Sequence, residues 1–155
     1  MPAWKGIVGR GFTAADFEQY VQTIKLTLWH PQFVVLHNTF IPRLADWHQV
    51  PGEQRMQNLQ HYYRDTQHWS AGPHLFIADD LIWVFTPLDT PGVHSPSWNA
   101  ISWGVELVGD YTTEELSPSG STLLARGDNS GCLTITQGGP ANDPQRLPRH
   151  QNREE

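Results

Sequence analysis

Apolar positions along the chain change their spacing several times, and each change marks an element. Between Thr13 and about Leu28, the residues Phe17, Tyr20, Val21 and Ile24 recur at helical spacing. Thr13 can cap the first turn, with Asp16 three residues on, so this stretch is predicted to be a helix. Phe33 to Leu36 is a short, largely β-branched apolar run between Pro31 and Asn38, which predicts a buried strand. A second helix is predicted from about Glu53 to Thr66, with Met56, Leu59, Tyr62 and Tyr63 as its apolar stripe. "HLFIA" and "IWVFT" flank Asp79-Asp80-Leu81 as a hairpin would. Pro87, Pro91, Gly92 and Pro96 then make a loop. "ISWGVELVG", Ile101 to Gly109, alternates as a strand does. Ile101, Trp103, Val105 and Leu107 take one face, and Ser102, Gly104, Glu106 and Val108 the other. Helices and strands interleave, so the fold class is α/β, a mixed central β-sheet flanked by helices.

Composition changes this picture at one place. The seven Trp, six Phe and four Tyr all lie at or before Tyr111, whereas Leu116 to Glu155 is rich in Ser, Gly, Pro, Asn and Gln. Such a segment buries too little apolar surface to offset its ordering entropy. The folded body is therefore expected at residues 1–112 and a loosely ordered tail at 113–155. A chain of 155 residues suits one core. Its net charge is −6, and its ten Lys and Arg form no basic run, which argues against nucleic acid and membrane surfaces as partners. No stretch approaches the ~18 apolar residues of a membrane span. "MPAWKGIVGRGF" has no signal-peptide core, so the expected location is the cytoplasm, or release without a cleaved signal. The single Cys132 excludes an internal disulfide.

Four features bear chemistry. His37 closes an apolar strand, where an imidazole serves as a metal ligand or as a hydrogen-bonded structural group. In "WSAGPHLFI", His74 opens a strand after Gly72-Pro73, and a strand-edge structural role is open to it too. In "PGVHSPSWN", His94, Ser95, Trp98 and Asn99 crowd onto one proline-fixed loop, either as a ligand wall or as a solvated loop with Trp98 tucked in. Glu106 stands inside a strand beside apolar residues, where a buried carboxylate is costly without a task. Facing a reactive water, its raised proton affinity would suit a general base; in solvent it would be an ordinary edge residue.

The order and spacing of "VVLHNT", "WSAGPHLFI", "GVHSPSWN" and "SWGVELVGDY" resemble the zinc-dependent N-acetylmuramoyl-L-alanine amidases over roughly residues 12–112. That superfamily includes phage lysozyme-type amidases and the peptidoglycan-recognition proteins. The resemblance implies a zinc ion in a surface groove and peptidoglycan, or a muropeptide cut from it, as partner. A metal-activated water would cleave the amide between N-acetylmuramic acid and L-alanine of the stem peptide. His37 matches the first zinc ligand, and Glu106 the catalytic base of one branch. His94, Trp98 and Asn99 match the loop lining the substrate groove, and His74 is assigned to substrate binding with them. The tyrosine that other branches use falls at Pro73, which leaves that role to Glu106.

The family takes its other ligands from a C-terminal "THKDCPG"-like stretch, which this tail lacks; Cys132 lies on the wrong side of His150, so a substitute ligand would be His94, His150 or Asp143. A binding module without catalysis, or a degenerate remnant, is the alternative function. Codons permitted for Thr136 to Arg149, read one base later, can spell His-Arg-Glu-Asp-Pro-x-Thr-Thr-His-Lys-Asp-Cys-Pro-Gly. This suggests a frameshift after about Tyr111 that replaces the last helix and the metal-binding strand. The apolar face left uncovered would favour self-association. Sequencing the encoding DNA tests this directly: the shifted register should encode that ligand stretch, and codons incompatible with it would refute the idea.

Overall fold

The computed structural model describes residues 3–116 and the backbone of 133–135. Its strands are β1 (Arg10–Phe12), β2 (Phe33–Asn38), β3 (Leu75–Ile77), β4 (Ile82–Val84), β5 (Ser102–Leu107) and β6 (Leu133–Ile135). Its helices are α1 (Ala14–Thr23), α2 (Leu44–Trp47) and α3 (Gly52–His61), the last running into a π-helical turn, Tyr62–Thr66. The strands form one mixed sheet in the order β1-β4-β3-β5-β2-β6. β5 runs parallel to both neighbours, β3 and β2, while β3 with β4 and β4 with β1 are antiparallel. The α/β mixed sheet read from the sequence is thus the architecture found.

Both faces of the sheet are covered, which is why its strands are apolar on both sides. On one face, Val34, Leu36, Leu75, Ile77, Trp103, Val105 and Leu107 pack with Phe12 and with Phe17 of α1. On the other, Phe76, Trp83, Phe85 and Val108 pack with Met56 of α3, Trp47 and Tyr63. The alternation predicted along β5 is therefore correct, and it sends Glu106 to the α3 face. That strand is central, so Glu106 is no edge residue.

Several boundaries differ from expectation. Thr13 caps α1 as predicted, its hydroxyl oxygen accepting the Asp16 N–H at 3.2 Å. The helix ends at Thr23 rather than Leu28, because Ile24 turns extended (φ −78°, ψ 128°). β-Branched Val21, Thr23 and Ile24 gain little from continuing a helix, and the extended route lets Leu26 and Trp29 reach the same core. The second predicted helix is split, with the wider π turn presenting Tyr63 to Trp69 and Phe85. β2 runs two residues past Leu36, so His37 and Asn38 belong to the strand. β1 and the four-residue α2 carry too little pattern to be foreseen. β6 lies beyond residue 112 and pairs with β2 in parallel; the rest of the tail, with Cys132, Asp143 and His150, lies outside the described residues.

The start of α3 leaves no room for a side chain. A Cβ on Gly52 would stand 1.9 Å from the Trp83 ring. Gly52→Ala should therefore lower the unfolding free energy by about 1–3 kcal/mol, read by urea denaturation. An unchanged midpoint would mean that Trp83 has space to yield.

Candidate functional site

β2 and β5 bring the two chief residues together. His37 is the register partner of Glu106, and partners on adjacent strands share a face of the sheet. Glu106 is 1% exposed, and neither carboxyl oxygen has a hydrogen-bond partner among the described residues. Burial raises its pKa to about 8, so the group is mostly protonated at neutral pH. It opens into a cavity of about 380 Å³ walled by α3 and by the segment after β2, with Thr39, Pro42, Arg55, Asn58 and Tyr63 among the lining residues. A protonated carboxyl with two free oxygens can donate one hydrogen bond and accept another.

The histidines form a cluster of their own, with the His94 ring packed edge-on against both His37 and His74. His37 Nε2 is 3.1 Å from His94 Nδ1. Burial lowers His37 to about 4 and His94 to about 3, the latter helped by its two histidine neighbours. Both are neutral imidazoles at physiological pH. The His94 ring lies over Gly104, where a Cβ would come within 2.2 Å of its Cγ. Its loop is held by Asn99, whose Oδ1 accepts the backbone N–H groups of His94 and Ser95 at 2.8 Å.

The assignment of His74 to substrate binding needs correction. It is fully buried, stacked on Trp29 at 5.6 Å, and both ring nitrogens are engaged. Nδ1 accepts the Gly104 N–H at 3.0 Å, and Nε2 donates to the Thr90 carbonyl at 2.9 Å. Its two hydrogen bonds tie the residue before β3 to β5 and to the loop after β4, and leave neither ring nitrogen for a ligand. His37 and the loop residues His94, Trp98 and Asn99 likewise are not among the residues lining the cavity over Glu106. Trp98 packs edge-on against Phe33 and is 42% exposed. Of the residues that do line it, the sequence puts Tyr63 in the apolar stripe and assigns Arg55 and Asn58 no role. Polar Arg55 and Asn58 three residues apart, flanking that stripe, were the available signal.

A zinc site with an open position takes three protein ligands. His37 meets the need of one: a neutral imidazole whose second nitrogen has a fixed partner. Among the described residues the one group of three metal-type side chains is His48, Asp79 and Asp80, on the surface at the β3–β4 turn and not lining the cavity. The described residues do not complete a zinc site at His37.

In sequence the chain is similar to N-acetylmuramoyl-L-alanine amidases and peptidoglycan-recognition proteins, and its fold is that of solved peptidoglycan-recognition proteins. It is 27% identical over 114 residues to an N-acetylmuramoyl-L-alanine amidase of Sus scrofa, covering 72% of this chain and 18% of that protein. It is 29% identical over 101 residues to peptidoglycan-recognition protein 1 of Holotrichia diomphalia, covering 64% of this chain and 49% of that one. The chain thus spans half or less of these relatives. Its fold is similar to that of a Drosophila PGRP-LB mutant in complex with tracheal cytotoxin, with TM-score 0.55, 21% identity, and 62% and 57% of the two chains covered. No protein-family model matches the chain.

The shifted groups set opposing pH dependences. Lowered histidines bind fewer protons folded than unfolded, so His37 and His74 from about pH 4, and His94 from about pH 3, lose their penalty as pH rises to the ordinary imidazole value of 6.5. Glu106, raised from 4.5 to about 8, withdraws stability as pH rises between those values. Stability should peak near pH 6.5 and fall by roughly 2 kcal/mol toward pH 8. In Glu106→Gln that alkaline decline should vanish; urea melts at the two pH values measure it, and an unaltered decline would show Glu106 is not its source.

Proposed function

We propose that this chain recognises peptidoglycan, holding a muropeptide in the cavity over Glu106. The carrying observation is the buried, protonated carboxyl group with two unpartnered oxygens facing that cavity. A peptide amide offers the complementary pair, a carbonyl to accept the O–H and an N–H to meet the other oxygen. Arg55 on the same wall suits the carboxylates of a stem peptide. Support also comes from the similar fold solved with tracheal cytotoxin.

A second reading, hydrolysis by an N-acetylmuramoyl-L-alanine amidase, is favoured by His37 and Glu106 sharing one face in register. Zinc, where an amidase of this kind holds it, polarises the scissile carbonyl and activates water. This chain's described part would supply His37 as a ligand and Glu106 as the proton-accepting group; without the remaining ligands, recognition stands and cleavage does not follow.

Co-sedimentation of the full chain with insoluble peptidoglycan tests the first reading. The protein should pellet, and Asn58→Trp, which fills the cavity, should weaken retention about tenfold. Equal retention of the two, or none of either, would refute it. Release of stem peptides with free L-alanine termini, alongside near-stoichiometric zinc that His37→Ala loses, would establish the second.

A further inference from the structure

Among the described residues, three of the five buried side-chain atoms without a hydrogen-bond partner belong to residues lining one cavity. They are both oxygens of Glu106 and the Nε of Arg55. The two groups are not paired with each other. One terminal nitrogen of Arg55 donates to the carbonyls of Asp46 and Trp47, which fixes the guanidinium and leaves its Nε–H over. Leu59 and Phe76 make other parts of the wall apolar. At about 380 Å³ the cavity is at the small end of ligand pockets, so it takes the end of a ligand rather than a length of glycan.

The two oxygens of one carboxyl group are met together only by a ligand with a donor and an acceptor on one edge. A trans peptide unit does not offer this, because its N–H and C=O point to opposite sides of the chain. A primary carboxamide does, since one of its N–H groups lies beside the C=O. A ligand carboxylate brings acceptors only. Against a protonated Glu106 it leaves one oxygen facing another, and against an ionised Glu106 it leaves both, so either state disfavours it. A cationic end group would meet the Arg55 guanidinium on the same wall. We propose that the cavity selects a peptide end capped as a primary carboxamide, held by both oxygens of Glu106, while Arg55 Nε–H takes a neighbouring carboxylate or carbonyl oxygen. This deepens the muropeptide reading above and rests on it for the rest of the ligand.

The test is calorimetric titration of the full chain with three matched probes. The first is N-acetylmuramoyl-L-alanyl-D-isoglutamine, which carries a carboxamide beside a carboxylate. The second ends in D-glutamate, with a carboxylate where the first has its carboxamide. The third is the N-methylamide of the first, uncharged at that position but with its N–H turned away from the C=O. The carboxamide should bind about tenfold tighter than either of the others. Equal affinity for all three, tighter binding of the carboxylate, or binding of none would overturn the inference without any variant being needed. In Glu106→Leu the preference should disappear. In Glu106→Gln, whose side chain has its own donor and acceptor, preference over the N-methylamide should persist. A Glu106→Leu protein with a native circular dichroism spectrum and an unchanged preference would also overturn it. Retention on insoluble peptidoglycan reports separately: retention without the carboxamide preference leaves the proposed function and removes this inference, and the preference without retention does the reverse.

Discussion

The site depends on the parallel register of β2 against β5. Six residue pairs, Phe33 with Ser102 through Asn38 with Leu107, lock these strands, and the Thr39 N–H continues the ladder to the Leu107 carbonyl at 2.9 Å. Both faces are packed, so a slip of β2 by one residue would drive Val34 and Leu36 out of one apolar layer and into the other. It would also part His37 from Glu106. The pairing that buries the core is thus the pairing that assembles the chemistry.

Polar atoms on this face are satisfied in a graded way. His74, deepest, uses both ring nitrogens. His94 also uses both, one on the Ser102 side and one on His37. His37 uses one, and Glu106 uses neither oxygen. Buried polar groups left without partners are destabilising, so a fold retains them where a ligand can complete them. The other unpartnered buried side-chain atoms among the described residues are single N–H groups of Trp4, Arg55 and Trp83. Glu106 alone among them offers a whole functional group.

What the sequence discloses follows from how local each cause is. The cap of α1 at Thr13, the hairpin of β3 and β4, and the alternation along β5 are set by neighbours within a few residues, and all three are where the pattern puts them. His37 and Glu106 as site residues come from family resemblance, and the register places the two on one face of the sheet. The wall of the cavity was not legible, because it arises where α3 crosses the sheet: Asn58 and Tyr63 meet Glu106 only in three dimensions. His74 was misassigned for the same reason. A histidine opening a strand beside a loop looks available, and only the fold shows Trp29 and Thr90 enclosing it.

The loop from Pro91 to Asn99 then acquires a different meaning. Its polar side chains turn inward on the protein: Asn99 holds the loop's own backbone, and His94 reaches over β5 to His37. That reach is possible only because position 104 has no side chain. Gly104 and Glu106 are two apart on one strand and point the same way, so the absence at one and the carboxyl at the other are a single arrangement. A methyl group at 104 would collide with the His94 imidazole and disturb its contact with His37, while leaving the cavity lining untouched. The loop therefore reaches the strand-end histidine through one ring and does not itself line the cavity.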